Sequence, residues 1–173
     1  MNRHLFIWIA SFALLGACTS NTATSSTAAT DPFKDCKAGK PKAIFQGDFE
    51  QVSTQTFKIE HKEGIENVQF ENGLALELIQ LGCDKVTQVF QFTIPQKLEG
   101  EQDWMTLTAD QFVYLSRTSE QHGMLGMWGQ TIRANGPNIQ LGEKQVLQPG
   151  ISIKVDKVQS MESTTLVVEL SQD

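Results

Sequence analysis

Alternation of apolar and polar positions dominates the first half of the chain. In VTQVFQFTI, Val86, Phe90, Phe92 and Ile94 share one face with Gln88, while Thr87, Gln91 and Thr93 take the other, which predicts a half-buried strand. Leu74, Leu76 and Leu78 alternate in the same way, as do Phe57 and Ile59 across Lys58. Between two such runs stands Asn72-Gly73, the strongest short-range hairpin signal. A two-residue turn there would put Val68 and Phe70 on the face opposite Leu74, Leu76 and Leu78. A three-residue loop, Glu71-Asn72-Gly73, pairs Phe70 with Leu74 and Val68 with Leu76, so all of them share one buried face and Gly73 takes the left-handed position. The longer loop is therefore expected.

The period changes in the middle of the chain. Thr108-Ala109-Asp110-Gln111 matches a capping box, with Phe112 and Leu115 following at helical spacing, so a helix is predicted from about Ala109. Leu125, Trp128 and Ile132 continue a helical stripe through HGMLGMWGQ, where Gly123, Gly126 and Gly129 recur every third residue. Each interior glycine costs a helix about 1 kcal/mol relative to alanine. A break or a close-packed second helix is expected there, ending at Asn135-Gly136-Pro137-Asn138. Alternation returns at Ile151, Ile153 and Val155 and in TTLVVEL. The count is about seven or eight strands, with one helical insertion over about 109–134 between the fifth and sixth. That predicts an α+β, mostly antiparallel β fold, as a sandwich or open barrel, in a single globular domain over 33–173.

The start of the chain follows none of this. A basic opening, Met1 to His4 with Arg3, precedes an apolar run from Leu5 to Leu15. Such a run has the length of an export signal and falls short of the ~20 residues that span a bilayer. Leu15-Gly16-Ala17-Cys18 resembles the lipobox of bacterial lipoproteins. The alternative is an ordinary signal cut after Gly16-Ala17, giving a soluble secreted protein. The resemblance implies that residues 1–17 are a signal peptide that is removed, and that Cys18 becomes the N-terminus, carrying a thioether-linked diacylglycerol and usually a third acyl chain such as palmitate. One chain anchors marginally, two or three firmly. In Gram-negative members of the family an Asp after the cysteine tends to retain the protein at the inner membrane. Thr19 stands there in this chain, which favours the periplasmic face of the outer membrane if the source is Gram-negative. Residues 18–32 would be the lipidated cysteine and a flexible tether; thirteen small, mostly polar residues from Thr19 to Asp31 give a mean reach of about 20 Å.

Composition narrows the remaining chemistry. The formal charge of -6 becomes about -7 once Arg3 leaves with the signal, and this acidic balance argues against nucleic acid and anionic headgroups as partners. The lipid bilayer is then met through acylated Cys18 alone. Export would place Cys36 and Cys83 in an oxidising compartment, where one bridge between them is expected, the alternative being two buried thiols. Their spacing lacks the short pairing of a zinc site, so neither a metal nor a cofactor is expected. Of the two histidines left after the signal, His61 in EHKE reads as an exposed strand end and His122 as a helix-terminal residue. No H-E-x-x-H, G-x-S-x-G or S-x-x-K motif occurs, so no catalytic residue is assigned and the protein is not expected to be an enzyme.

Phe112, Tyr114, Met124, Met127 and Trp128 gather aromatic and thioether groups in the glycine-interrupted segment. They are candidates for a ligand or partner groove, or else for the cover of the sheet. The function expected is a membrane-anchored envelope lipoprotein whose domain is a non-enzymatic binding or assembly module for a protein, peptide or glycan. The alternative is a small apolar-ligand carrier or hydrolase working around Trp128.

Overall fold

Four alternating runs in the first half and three in the last form strands of one sheet. A computed structural model describes residues 31–47, 49–95 and 103–172, and residues from Asp31 onward cluster as one unit. The expected signal, Cys18 and nearly all of the tether lie outside the described residues. The elements are β1 (Val52–Glu60), β2 (Glu63–Phe70), β3 (Ala75–Leu81), β4 (Val86–Ile94), α1 (Trp104–Leu115), α2 (His122–Asn135), β5 (Lys144–Gln148), β6 (Ile151–Gln159) and β7 (Thr164–Gln172). Strand order is β1-β2-β3-β4-β7-β6-β5, every neighbour antiparallel, and the sheet does not close into a barrel. It is an α+β fold, mostly antiparallel β, with a helical insertion.

The hairpin after β2 has the register that the apolar pattern demands. Val68 pairs with Leu76, the Phe70 amide donates to Leu74 O at 2.9 Å, and Gly73 has φ 84°. One row of the inner face runs Glu66-Leu78-Phe90-Val168-Val155 across β2, β3, β4, β7 and β6, and the row beside it runs Val68-Leu76-Phe92-Leu166. All of these side chains are buried. Both helices are placed against this face: Phe112 meets the Phe90 and Phe92 rings edge-on at 4.9 and 5.4 Å, and Leu115, Leu125, Trp128 and Ile132 complete the core. The second layer is helical because α1 and α2 bury apolar stripes that have nowhere else to go.

Two expectations about the insertion are corrected. It begins at Trp104 rather than near Ala109, and it lies between the fourth and fifth strands rather than the fifth and sixth. Asp103, not Thr108, is the N-cap: its carboxyl accepts from the Thr106 amide at 3.0 Å and the Thr106 hydroxyl at 2.6 Å. Thr108 is already inside the helix, its hydroxyl donating back to Trp104 O at 2.7 Å. The Thr106 hydroxyl and then its amide hold the Asp103 carboxyl below the ordinary aspartate value. This cap therefore stabilises α1 above the unfolded-state pKa and is lost as pH falls through the lowered one. Among the described residues four strands precede the helices, and Ile44 and Phe45 lie in bends.

The glycine-rich run forms an unbroken helix packed closely on its neighbour. A Cβ on Gly129 would lie 3.0 Å from Ala109 O and 3.0 Å from Val113 Cγ2, whereas one on Gly126 would sit 3.6 Å from Ser116 Cβ, an ordinary contact. Arg133 of α2 also pairs with Asp110 of α1. Gly126→Ala is expected to raise stability by about 0.5–1 kcal/mol through helix propensity. Gly129→Leu is expected to lower it by about 1–3 kcal/mol by forcing the helices apart. Urea denaturation of the two variants checks the pair, and the opposite ranking would refute this packing.

Residues 31–47 form a strap across one end of the sheet. A disulfide joins Cys36 to Cys83 in the β3–β4 loop, with Cα atoms 4.4 Å apart. The Ala38 amide donates to Cys83 O at 3.0 Å and Gln80 Nε2 to Lys42 O at 2.7 Å. Further along, the Ile44 and Phe45 amides donate to the buried Glu66 carboxyl at 2.8 and 3.0 Å, Gln55 Nε2 donates to it at 2.7 Å, and Ser119 Oγ donates to Ile44 O at 2.7 Å. The strap is thereby joined to the sheet and to the loop after α1.

Candidate functional site

The five candidate groove residues separate in the structure. Phe112, fully buried, belongs to the core between helix and sheet, and Tyr114 packs edge-on against Phe70 at 5.3 Å between ring centroids. Burial, and behind it the charge of Glu71, pushes the Tyr114 phenol up from its ordinary value, which keeps it a neutral hydrogen-bonding group. Met124 is partly buried against the core. Only Met127 and Trp128 line a common concavity, Trp128 with its body buried and Met127 55% exposed.

That concavity is a groove of about 200 Å³ where the last turns of α2 approach the β5–β6 hairpin. Its apolar floor comes from Trp128 and Met127 of α2, Leu147 of β5 and Ile151 of β6; its polar lining includes Asn135 and Gln148. Sequence reasoning missed the hairpin side. The turn Gln148-Pro149-Gly150-Ile151 was the signal, since reversal there brings Leu147 and Ile151 beside one another. No lining residue is ionisable. The Asn135 side-chain amide donates to Thr131 O at 2.9 Å, which fixes the rim to the helix.

A second concavity of about 240 Å³ does contain an acid and a base, Asp103 and Arg133. Both are already engaged, Asp103 in capping α1 and Arg133 with Asp110. The histidines lie elsewhere. His61 and Lys62 have φ 50° and 68° and form the two-residue turn between β1 and β2, while His122 opens α2. Among the described residues there is no group of three or more His, Cys, Asp or Glu that could hold a metal, and no helix is long and apolar enough to cross a membrane.

Comparison of the chain with protein-family models, with curated proteins and with solved structures finds no match. The functional reading therefore rests on its own residues.

Proposed function

We propose that the protein is a lipid-anchored envelope lipoprotein whose domain is a non-enzymatic binding or assembly module, engaging a protein, peptide or glycan partner through the groove at Met127 and Trp128. The observation that carries the binding reading is the chemistry of that groove. It offers an apolar floor with an amide rim and no ionisable side chain to move a proton. At about 200 Å³ it is smaller than the ~300–1,000 Å³ typical of sites that enclose a small molecule, and it suits a single side chain or ring presented by a larger partner. A well-packed core with a shallow exterior groove favours this over the carrier or hydrolase alternative. The anchor rests on the leader and Leu15-Gly16-Ala17-Cys18, and the exported, oxidising setting it implies agrees with the Cys36–Cys83 bridge.

Two measurements test the halves separately. Cys18→Ser should leave uncleaved precursor with no acyl mass and remove the mature chain from the membrane pellet; an acyl-free mature wild-type chain would sink the anchor. For the groove, a photo-crosslinking residue at Met127 should give one dominant adduct in intact cells. Met127→Glu, on an exposed position that leaves the fold intact, should weaken that partner's binding by about tenfold or more, as expected for loss of one apolar anchor. The binding reading fails if purified domain turns over an envelope substrate at a rate abolished by changing one polar residue of the Asp103–Arg133 concavity.

A further inference from the structure

The acidic charge of the whole chain conceals a basic end. Residues 31–42 hold Lys34, Lys37, Lys40 and Lys42 against Asp31 and Asp35, a net +2, whereas 43–173 hold nine basic and eighteen acidic residues, a net of -9. The fold keeps these lysines together. The disulfide, the Ala38–Cys83 bond and the Gln80–Lys42 bond lay the strap along the β3–β4 loop, and Pro41 packs against Gly64 beside the β1–β2 turn that carries Lys62. All five lysines are exposed. Of the acids nearby, Glu60 is paired with Lys58 at 3.1 Å, Glu63 beside Lys62 is half-buried, and Asp31, Asp35 and Asp84 remain exposed.

We infer that this strap end is a docking surface for the anionic phospholipid headgroups of the membrane that carries the anchor, a step that rests on the lipid-anchor reading. The tether ends at Asp31, so its last residue delivers the lysines first to the bilayer. A linker of thirteen residues allows a mean separation of about 20 Å and closer approaches within it. Attraction acts only within a Debye length, about 8 Å at physiological ionic strength, so the collar engages when the domain drops onto the surface. The acidic remainder is repelled, which gives the seated domain one orientation, with the β6–β7 turn and exposed Met161 facing away from the membrane. This contact would add to the one expected through acylated Cys18.

The test uses residues 18–173 produced without the signal and carrying Cys18→Ser, a chain that has no acyl group and so reports headgroup binding by itself. It should float with phosphatidylethanolamine vesicles containing phosphatidylglycerol, not with phosphatidylethanolamine alone, and binding should weaken steeply with salt. Each lysine near an anionic surface is worth roughly fivefold, so reversing two of them should weaken vesicle binding by about 25-fold or more. Lys37→Glu with Lys40→Glu should therefore do so, while Lys144→Glu with Lys157→Glu, an equal charge change on β5 and β6 at the opposite edge of the sheet, should cost less than about twofold. Circular dichroism and an intact Cys36–Cys83 bridge report folding of both. Three results overturn the proposal: flotation independent of phosphatidylglycerol, equal losses in the two pairs, or binding to soluble polyglutamate as tight as to vesicles, which would assign the collar to an acidic polypeptide. The anchor is scored apart from this, by acyl mass on Cys18 and by pelleting of the acylated wild-type chain, which the strap substitutions leave unchanged.

Discussion

Glu66→Ala is expected to destabilise the domain by about 3–5 kcal/mol, because it strands groups that have no water to turn to. Glu66 is fully buried on the inner face, and its two oxygens accept from the Ile44 amide, the Phe45 amide and Gln55 Nε2. Each buried donor left without a partner costs about 1–3 kcal/mol, and truncation adds a cavity. Phe45 is itself buried and meets the Phe70 ring edge-on at 6.1 Å, so loosening its backbone unseats an aromatic contact as well. Glu66→Gln retains one acceptor and turns its amide nitrogen toward a donor, so it should fall between wild type and alanine. Urea unfolding gives the magnitudes, and amide hydrogen exchange gives the location, with the Ile44 and Phe45 amides losing protection first. An alanine variant within about 1 kcal/mol of wild type, with those two amides still protected, would show that the carboxyl does not hold the strap.

Strand positions and faces were legible because the sheet obeys period two. Phe90, Phe92, Leu74, Leu76 and Leu78 are buried as their alternation requires, whereas Val86 at the end of β4 is exposed, and the three-residue loop follows from the need to bury Phe70 and Leu74 together. Glu66 was legible in principle and missed. Carrying the alternation of Phe70 and Val68 back by two residues puts Glu66 on the buried face, and a carboxyl in such a place must meet donors from elsewhere. What the sequence could not show was that the donors are backbone amides of a segment with no pattern of its own, since Ile44 and Phe45 are adjacent and the strap is neither helix nor strand.

The helical layer was read less well, for two physical reasons. Thr108 and Gln111 match a capping box by spacing, yet the earlier Asp103-x-x-Thr106 supplies a cap whose side chain satisfies the first-turn amide, and buried Met105 and partly buried Trp104 then extend the apolar stripe backward. The glycines left two outcomes open because a missing Cβ weakens an isolated helix and permits a close one. The neighbouring helix, whose Ala109 carbonyl and Val113 side chain crowd Gly129, decides between them. At the candidate groove, Met127 and Trp128 were identifiable by type, but the floor contributed by Leu147 and Ile151 depends on where the β5–β6 hairpin meets α2. Phe112 fits a core or a groove equally well by residue type, and its contacts with Phe90 and Phe92 separate the two.

Removing the Cys36–Cys83 bridge is expected to cost about 4 kcal/mol, because it closes a loop across a sequence separation of 47 and the unfolded chain regains that freedom when it opens. Against a domain stability of about 5–15 kcal/mol this is a large fraction, so the reduced protein should unfold at a much lower urea concentration. Cys36→Ala with Cys83→Ala should reproduce the reductant's effect, which excludes a general action of the thiol reagent. The folded sheet should survive, since β2 to β4 pair without the strap and the Ile44 and Phe45 amides still have Glu66. The two attachments then report on each other. With the bridge closed, Glu66→Ala leaves the Ile44 and Phe45 amides confined near an empty site; with it open, the strap can lift away and give those amides to water. The cost of Glu66→Ala should therefore be smaller in the double-alanine background, by more than the ~0.5 kcal/mol expected of independent sites. Strict additivity would mean that the disulfide and the carboxyl hold separate parts of the chain, and a bridge worth under about 1 kcal/mol would mean that the folded chain gains nearly as much freedom as the unfolded one when the bridge opens.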